Sequence, residues 1–227
     1  RFRKWNFIGA YRDAVRGIDH FKKALEKDST LYDVYLGLGS YYYWRTAKSS
    51  FLRLIAFWMP DKRELGINQL QFAIDHGRYA VYEALYVLLA AYYNEQDYRK
   101  GLELVDRAIA LKENPNLTDL YFRGRFLVKF EKWTEVKSIF EEILRQVSEY
   151  RYPSIGYQVE SKYWIARALA AEGKEREALL MARDALMQSR DRDADKEIEG
   201  HIDSFDEIRD QLEDFHEELN KKLMSQR

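Results

Sequence analysis

Four histidines and no cysteine are the first residues to weigh for chemistry, because imidazole and thiolate are common bases, nucleophiles and metal ligands near neutral pH. His20 and His76 each follow an aspartate, and neither has a second histidine four residues away or an HExxH frame. Glu213-x-x-His216 has the spacing of one half of a di-iron carboxylate site, but the second such pair that facing helices would supply is missing from the sequence. His201 and His216 lie in a strongly acidic stretch that suits a solvated face, so a helical metal-dependent enzyme stays only as a lesser alternative. Glu141-Glu142 and Glu217-Glu218 are adjacent, and neighbours on a helix do not face each other. The sequence contains no GxxxxGK[ST], GxGxxG or GxSxG, so neither a phosphate cradle nor a nucleophile elbow is expected. No catalytic residue, cofactor or metal ligand is assigned.

The elements that would carry any site are bounded by composition. The 227 residues are 46% hydrophobic and 33% charged, enough for one sizeable or two small globular units and too charged for a membrane bundle. Three prolines and 11 glycines are too few for a linker or a disordered chain. Lys and Arg number 37 against 38 Asp and Glu, so a net charge of -1 offers no global field to nucleic acid, and no nucleic-acid partner is expected. The lack of cysteine removes disulfide and thiolate chemistry but leaves the compartment open, cytoplasmic or exported. Because the chain starts at Arg1, a processed product or a fragment is expected.

An internal repeat organises the rest. A small residue, an apolar residue four on and a small residue three further recur as Gly17/Phe21/Ala24, Gly66/Leu70/Ala73, Gly101/Val105/Ala108 and Ala178/Ala182/Ala185, with a degenerate Val136/Phe140/Ile143 between the last two. The first members are 49, 35, 35 and 42 residues apart, a unit of about 34 with insertions. Small residues at i and i+7 present a narrow helix face that a second helix can approach closely. Ahead of each lies another apolar-periodic segment and a polar turn, clearest in Tyr82 to Asn94 before Asp97, Leu120 to Phe130 before Lys132, and Tyr163 to Ala171 before Gly173. Each unit is therefore helix, turn, helix, and the fold class is all-α.

These residues resemble the tetratricopeptide repeat (TPR) family. The match is closest in Tyr163-Trp164-Ile165-Ala166-Arg167-Ala168-Leu169, Gly173 and Glu177-Ala178-Leu179, followed by Leu88, Tyr92, Asp97-Tyr98 and Gly101. The resemblance spans roughly residues 5 to 188 and implies a right-handed α-α superhelix, a solenoid of helix pairs over residues 1–190, with residues 191–227 as an amphipathic capping helix. Three departures are visible. Val136 and Ile143 replace small residues, so the two helices of that unit should sit further apart; Ser148 to Tyr157 adds a longer connection or helix end; and only Arg1 to Gly9 precede the second helix of the first unit.

The resemblance also implies a noncatalytic scaffold whose leading helices line a concave groove. Carried onto this chain, the groove positions give Asp33, Tyr43 and Trp44; Glu83, Tyr86, Tyr93 and Asn94; Tyr121, Arg125 and Lys129; and Glu160, Tyr163 and Arg167. Of these, Tyr43, Trp44, Tyr86, Tyr93, Asn94, Tyr121, Arg125, Lys129, Tyr163 and Arg167 are the expected partner-binding residues. Tyrosine brings apolar area with a polar tip and arginine a planar donor fork, a mixture suited to a peptide or protein partner with acidic groups. The alternative is that many of the tyrosines pack between repeats. Leu36, Ser40 and Ala90 stand where a chaperone-type carboxylate clamp would need polar residues.

Two further segments stand out. Tyr43 to Pro60 reads as a helical insertion whose Phe51, Leu52, Leu54, Ile55 and Trp58 make one apolar face; Arg45, Lys48 and Arg53 flank it without an acid from Val34 to Pro60. It either closes the first repeat against the next, the favoured view, or serves a membrane-peripheral adaptor at residues 45–58. Beyond residue 190, Ile198, Ile202, Phe205, Ile208, Leu212, Phe215, Leu219 and Leu223 repeat at helical spacing among many acids. One long amphipathic helix is expected there, as a cap on the last repeat or as a seam for a homo-oligomer.

Overall fold

The computed structural model describes residues 7–47, 60–197, 200 and 202–225. Lys48, Phe51, Leu52, Arg53, Leu54, Ile55, Phe57 and Trp58 of the insertion, together with Ile198 and His201, lie outside the described residues. Among those described, the structure is all-α, with ten helices and no strand. They are α1 (Phe7–Lys27), α2 (Val34–Ala47), α3 (Arg63–His76), α4 (Val81–Asn94), α5 (Tyr98–Ala110), α6 (Leu117–Lys129), α7 (Trp133–Ser148), α8 (Ile155–Ala171), α9 (Glu175–Gln188) and α10 (Phe205–Ser225). None of the described helices is long and apolar enough to cross a membrane. The chain divides into two compact units, Arg1–Glu95 and Gln96–Arg227.

In the first unit each helix packs on its neighbour in sequence. Gly39 of α2 and Gly66 of α3 set the closest approach: a Cβ on Gly66 would lie 2.6 Å from the Tyr43 amide nitrogen and 2.7 Å from the Gly39 carbonyl oxygen. Backbone meets backbone, so no side chain can swing away to make room. The repeat's first small residue, Gly17 in α1, has nothing within 4 Å of such a Cβ among the described residues. Ile18, Leu38 and Tyr42 form a core that Leu25, Val34, Tyr35 and Tyr41 flank. Ahead of α4, the Asp33 carboxylate accepts the Arg78, Tyr79 and Ala80 amides at 2.9, 2.8 and 2.8 Å, taking up donors that a helix start leaves unmet. Those bonds hold its pKa below the ordinary carboxylate range, the Ala80 amide contributing most.

In the second unit the same construction continues through α5 to α9. A methyl at Gly101 of α5 would overlap the Phe126 ring of α6, and Ala178, Ala182 and Ala185 of α9 are fully buried. The degenerate unit carries its bulk on the second helix. Its small residue stands on the other helix, where a Cβ on Gly124 of α6 would meet Phe140 at 2.8 Å and Ile139 at 3.1 Å on α7. Gly124 thus makes room for Phe140 and Ile139, and Val136, Phe140 and Ile143 are all buried. The connection after Ser148 runs to Ser154, whose side chain caps α8 by accepting the Tyr157 amide at 3.3 Å.

The turns share a device. Gln96, Glu131 and Gly173 have φ of 60°, 53° and 78°, and each stands five residues before the small-residue position, at Gly101, Val136 and Ala178. After α6 the Lys132 amide donates to Leu127 O at 3.2 Å, and after α8 the Lys174 amide donates to Leu169 O at 2.9 Å. A left-handed residue is what turns the chain back so that this bond can close the helix end.

The C-terminal helix is shorter than its apolar spacing suggests. Ile202 lies in a bend, and α10 starts at Phe205 behind a capping box: the Ser204 hydroxyl accepts the Glu207 amide at 3.3 Å, while the Glu207 carboxylate accepts the Ser204 amide at 2.7 Å. Phe205, Ile208, Leu212 and Leu219 are buried, and α10 packs on α9 and α8. Burying a Leu212 of this kind contributes roughly 2 kcal/mol.

Candidate functional site

The ten expected groove residues divide evenly between the two units. In the first, Tyr43 is fully buried in α2, and its hydroxyl lies 3.0 Å from both the Ala91 carbonyl and the Glu95 carboxylate while accepting from Asn94 Nδ2 at 2.8 Å. Burial raises its pKa well above the usual phenol value, so it stays neutral. Glu95 in turn pairs with Arg63 at 3.0 Å. Tyr43 and Asn94 are thus brought together, as part of the packing of α2 on α4. Trp44 stands edge-on to Tyr43 at 4.8 Å and is half-buried, as are Tyr86 and Tyr93; Asn94 is exposed at residue level.

In the second unit the remaining five gather on α6 and α8. Tyr121 and Arg125, one helical turn apart on α6, are buried; Tyr163 and Arg167 repeat the pair on α8, with Tyr163 buried and Arg167 half-buried. In both pairs the guanidinium donates to the phenol, Arg125 to Tyr121 at 3.2 Å and Arg167 to Tyr163 at 2.9 Å. Helical spacing of i, i+4 makes that contact possible. The surroundings then diverge.

Arg125 is held by acids. Its Nη1 donates to Glu160 of α8 at 2.6 Å and its Nη2 to Asp203 at 2.5 Å, while the guanidinium lies 4.9 Å from the Trp164 ring. Trp164 Nε1 donates to the same Glu160 oxygen at 3.2 Å. The guanidinium is 2% exposed, and a charge so buried is tolerable only with partners of this quality. Burial raises the Glu160 pKa, with Arg125 opposing it, and burial pushes Tyr157, which flanks Tyr121 at 5.8 Å, up to about 12.

Arg167 is held by rings. Its guanidinium lies 5.4 Å from Phe215 of α10, 5.8 Å from Trp133 of α7 and 5.9 Å from Tyr163. Lys129, at the end of α6, is exposed and lies 5.5 Å from the Tyr98 ring.

Asp203 arrives on a segment whose apolar spacing suggests a helix but which is a bend at residues 202 and 203. Between α9 and α10 the chain crosses the α8 N-terminus, where the Glu197 carboxylate accepts the Gly156 amide at 2.8 Å, the Ile155 amide at 3.1 Å and the Ser154 hydroxyl at 2.9 Å. Arg192 stacks over Phe205 at 4.3 Å, and Gly200 comes close enough that a Cβ there would lie 3.7 Å from the Tyr121 hydroxyl and 3.8 Å from Glu160. A small cleft remains beneath, lined by Tyr157, Glu160, Arg192, Gly200 and Asp203 among others. Glu197, Gly200 and Asp203 were not among the expected groove residues. The signal that could have found them is charge: an acidic run follows a face that carries Arg125 and Arg167.

No group of three or more His, Asp and Glu among the described residues is arranged to hold a metal ion. Comparison with known proteins yields no matching family model, no matching curated protein and no matching solved structure.

Proposed function

We propose that this chain is a noncatalytic interaction scaffold, a right-handed superhelix of TPR-like helix pairs that receives a peptide or protein segment bearing carboxylates on its inner face. One observation supports it most. The Tyr-x-x-x-Arg pair stands on both α6 and α8, and the α6 copy already holds two carboxylates, one of them delivered by a non-helical segment of the chain. A face that seats an acidic segment of its own has the donors to seat another. The left-handed turn residue five places before each small-residue position at 101, 136 and 178 supports the repeat architecture. Lys129 and Arg167 supply the accessible cations of that face, and Trp44, Tyr86, Tyr93 and Asn94 supply aromatic and amide surface in the first unit.

The test is partner capture by the wild-type chain beside Lys129→Ala/Arg167→Ala, with helicity matched by circular dichroism. Capture of an acidic partner that drops about tenfold in the variant, equivalent to about 1.4 kcal/mol, is expected. Equal capture by both chains overturns the assignment of the face.

A further inference from the structure

The segment that joins α9 to α10 is held in an unusual way. From Arg190 to Ser204 no described residue is buried, whereas Ser189 before it and Phe205 after it are. The segment is therefore anchored at its two ends, and between them its attachments among the described residues include Arg192 over the Phe205 ring and two carboxylates, Glu197 on the α8 N-terminal amides and Asp203 on Arg125. What lies beneath is the opposite in character. Tyr121, Arg125 and Glu160 are buried and belong to α6 and α8, which pack on α7 independently of the segment. A preformed cationic and donor-rich face is thus covered by a stretch of chain in which no described residue from 190 to 204 is buried.

We infer that this α6/α8 face is a receptor for an acidic peptide with two carboxylates six residues apart, and that Glu197 and Asp203 are its resident, displaceable occupants. The inference rests on the scaffold role proposed above and names the ligand chemistry of its second unit. Charge complementarity supports it. Residues 193–206 carry six acids against one Lys, while the groups that meet Glu197 and Asp203 include a guanidinium, backbone amides and a hydroxyl. An intramolecular segment competes at high effective concentration, so an outside peptide gains access only when the resident carboxylates are weakened or outmatched. The hold is electrostatic at its outer end, since the Asp203 side chain is 25% exposed, and salt loosens it.

The experiment uses the full chain and a fluorescent synthetic peptide with the sequence of residues 192–204, read by anisotropy. In Glu197→Gln/Asp203→Asn the resident contacts lose their charge, and the labelled wild-type peptide is expected to bind this variant at least tenfold more tightly than the wild-type chain. The same peptide carrying both substitutions should not bind, and raising salt should weaken the complex. Failure of the wild-type peptide to bind the variant, with helicity unchanged, overturns the inference, as does equal binding to both chains. Should the double variant lose helicity, Asp203→Asn alone gives the same ordering with a step of threefold or more, and no step there overturns it equally. The two proposals separate cleanly: peptide binding to the opened variant without a partner that depends on Lys129 and Arg167 leaves the receptor standing and the scaffold role not. A partner that needs Lys129 and Arg167 but no effect of the Glu197/Asp203 change gives the reverse.

Discussion

Asp203 sets its carboxylate 2.5 Å from Nη2 of Arg125, 78 residues earlier in the chain, and shares that guanidinium with Glu160. One cation therefore ties α6, α8 and the segment before α10 together. Removing it would leave Glu160 buried at 6% side-chain exposure with its main counter-charge gone. Arg125→Ala is expected to destabilise the second unit by about 3 to 5 kcal/mol, measured by urea denaturation. A loss under about 1 kcal/mol would mean that water replaces the guanidinium without cost. A double-mutant cycle with Glu160→Gln should show strong coupling, since the two groups touch.

Glu160 also makes a pH prediction. Its pKa is raised in the folded chain by burial, so the folded state binds its proton more tightly than the unfolded state does. The stabilisation linked to that proton is fully present below the unfolded value of 4.5 and is lost as pH rises through the raised folded value. The stability difference between wild type and Glu160→Gln should therefore move against wild type as pH increases from 4.5 upward. Urea midpoints for both proteins across that range check it, and a difference that is flat or opposite in slope contradicts the assignment.

The left-handed turns offer a pair of opposite substitutions. Glu131 has φ of 53° and is exposed, so Glu131→Gly relieves backbone strain and is expected to stabilise by about 0.5 to 1 kcal/mol after the entropy of the freer unfolded chain is subtracted. Gly173 has φ of 78° and open space around its Cβ position, so Gly173→Ala carries a purely backbone penalty of about 1 to 2 kcal/mol. Thermal or urea unfolding of the two single variants should give opposite signs.

Gly66 and Gly17 occupy the same place in the sequence repeat but not in the packing. Gly66→Ala forces α2 and α3 apart at a backbone contact and is expected to cost about 1 to 3 kcal/mol, whereas Gly17→Ala adds a better helix former in open space and should stabilise by up to about 1 kcal/mol. Circular dichroism melts of each variant decide this. Equal effects would show that the close approach at Gly66 is not rigid.

Local spacing made much of the helical framework legible. The small positions Gly66, Gly101 and Ala178 are buried at helix crossings, and the turns at Gln96, Glu131 and Gly173 fall just before them, because helix faces and turn chemistry are written within a few residues of each other. Gly124 escaped notice because the pattern placed the small residue on the second helix of each pair, and close approach requires only that one of the two helices be small at the crossing. The helix expected over residues 191–227 starts only at Phe205, because apolar spacing continues through Ile202 but the Ser204–Glu207 capping box sets where the helix begins.

The sequence by itself determined an all-α chain and, through its resemblance, named Tyr121, Arg125, Tyr163 and Arg167 one by one; that they form two pairs follows from residues four apart on one helix. Only the tertiary structure decided that the two arginines differ. Arg125 is enclosed by Glu160 and Asp203, and Arg167 by Trp133, Tyr163 and Phe215. The physical reason is range. Helical periodicity repeats every few residues and can be read along the chain, whereas a charge's partner is whichever group the fold brings within a few ångströms, and Asp203 reaches Arg125 across 78 residues.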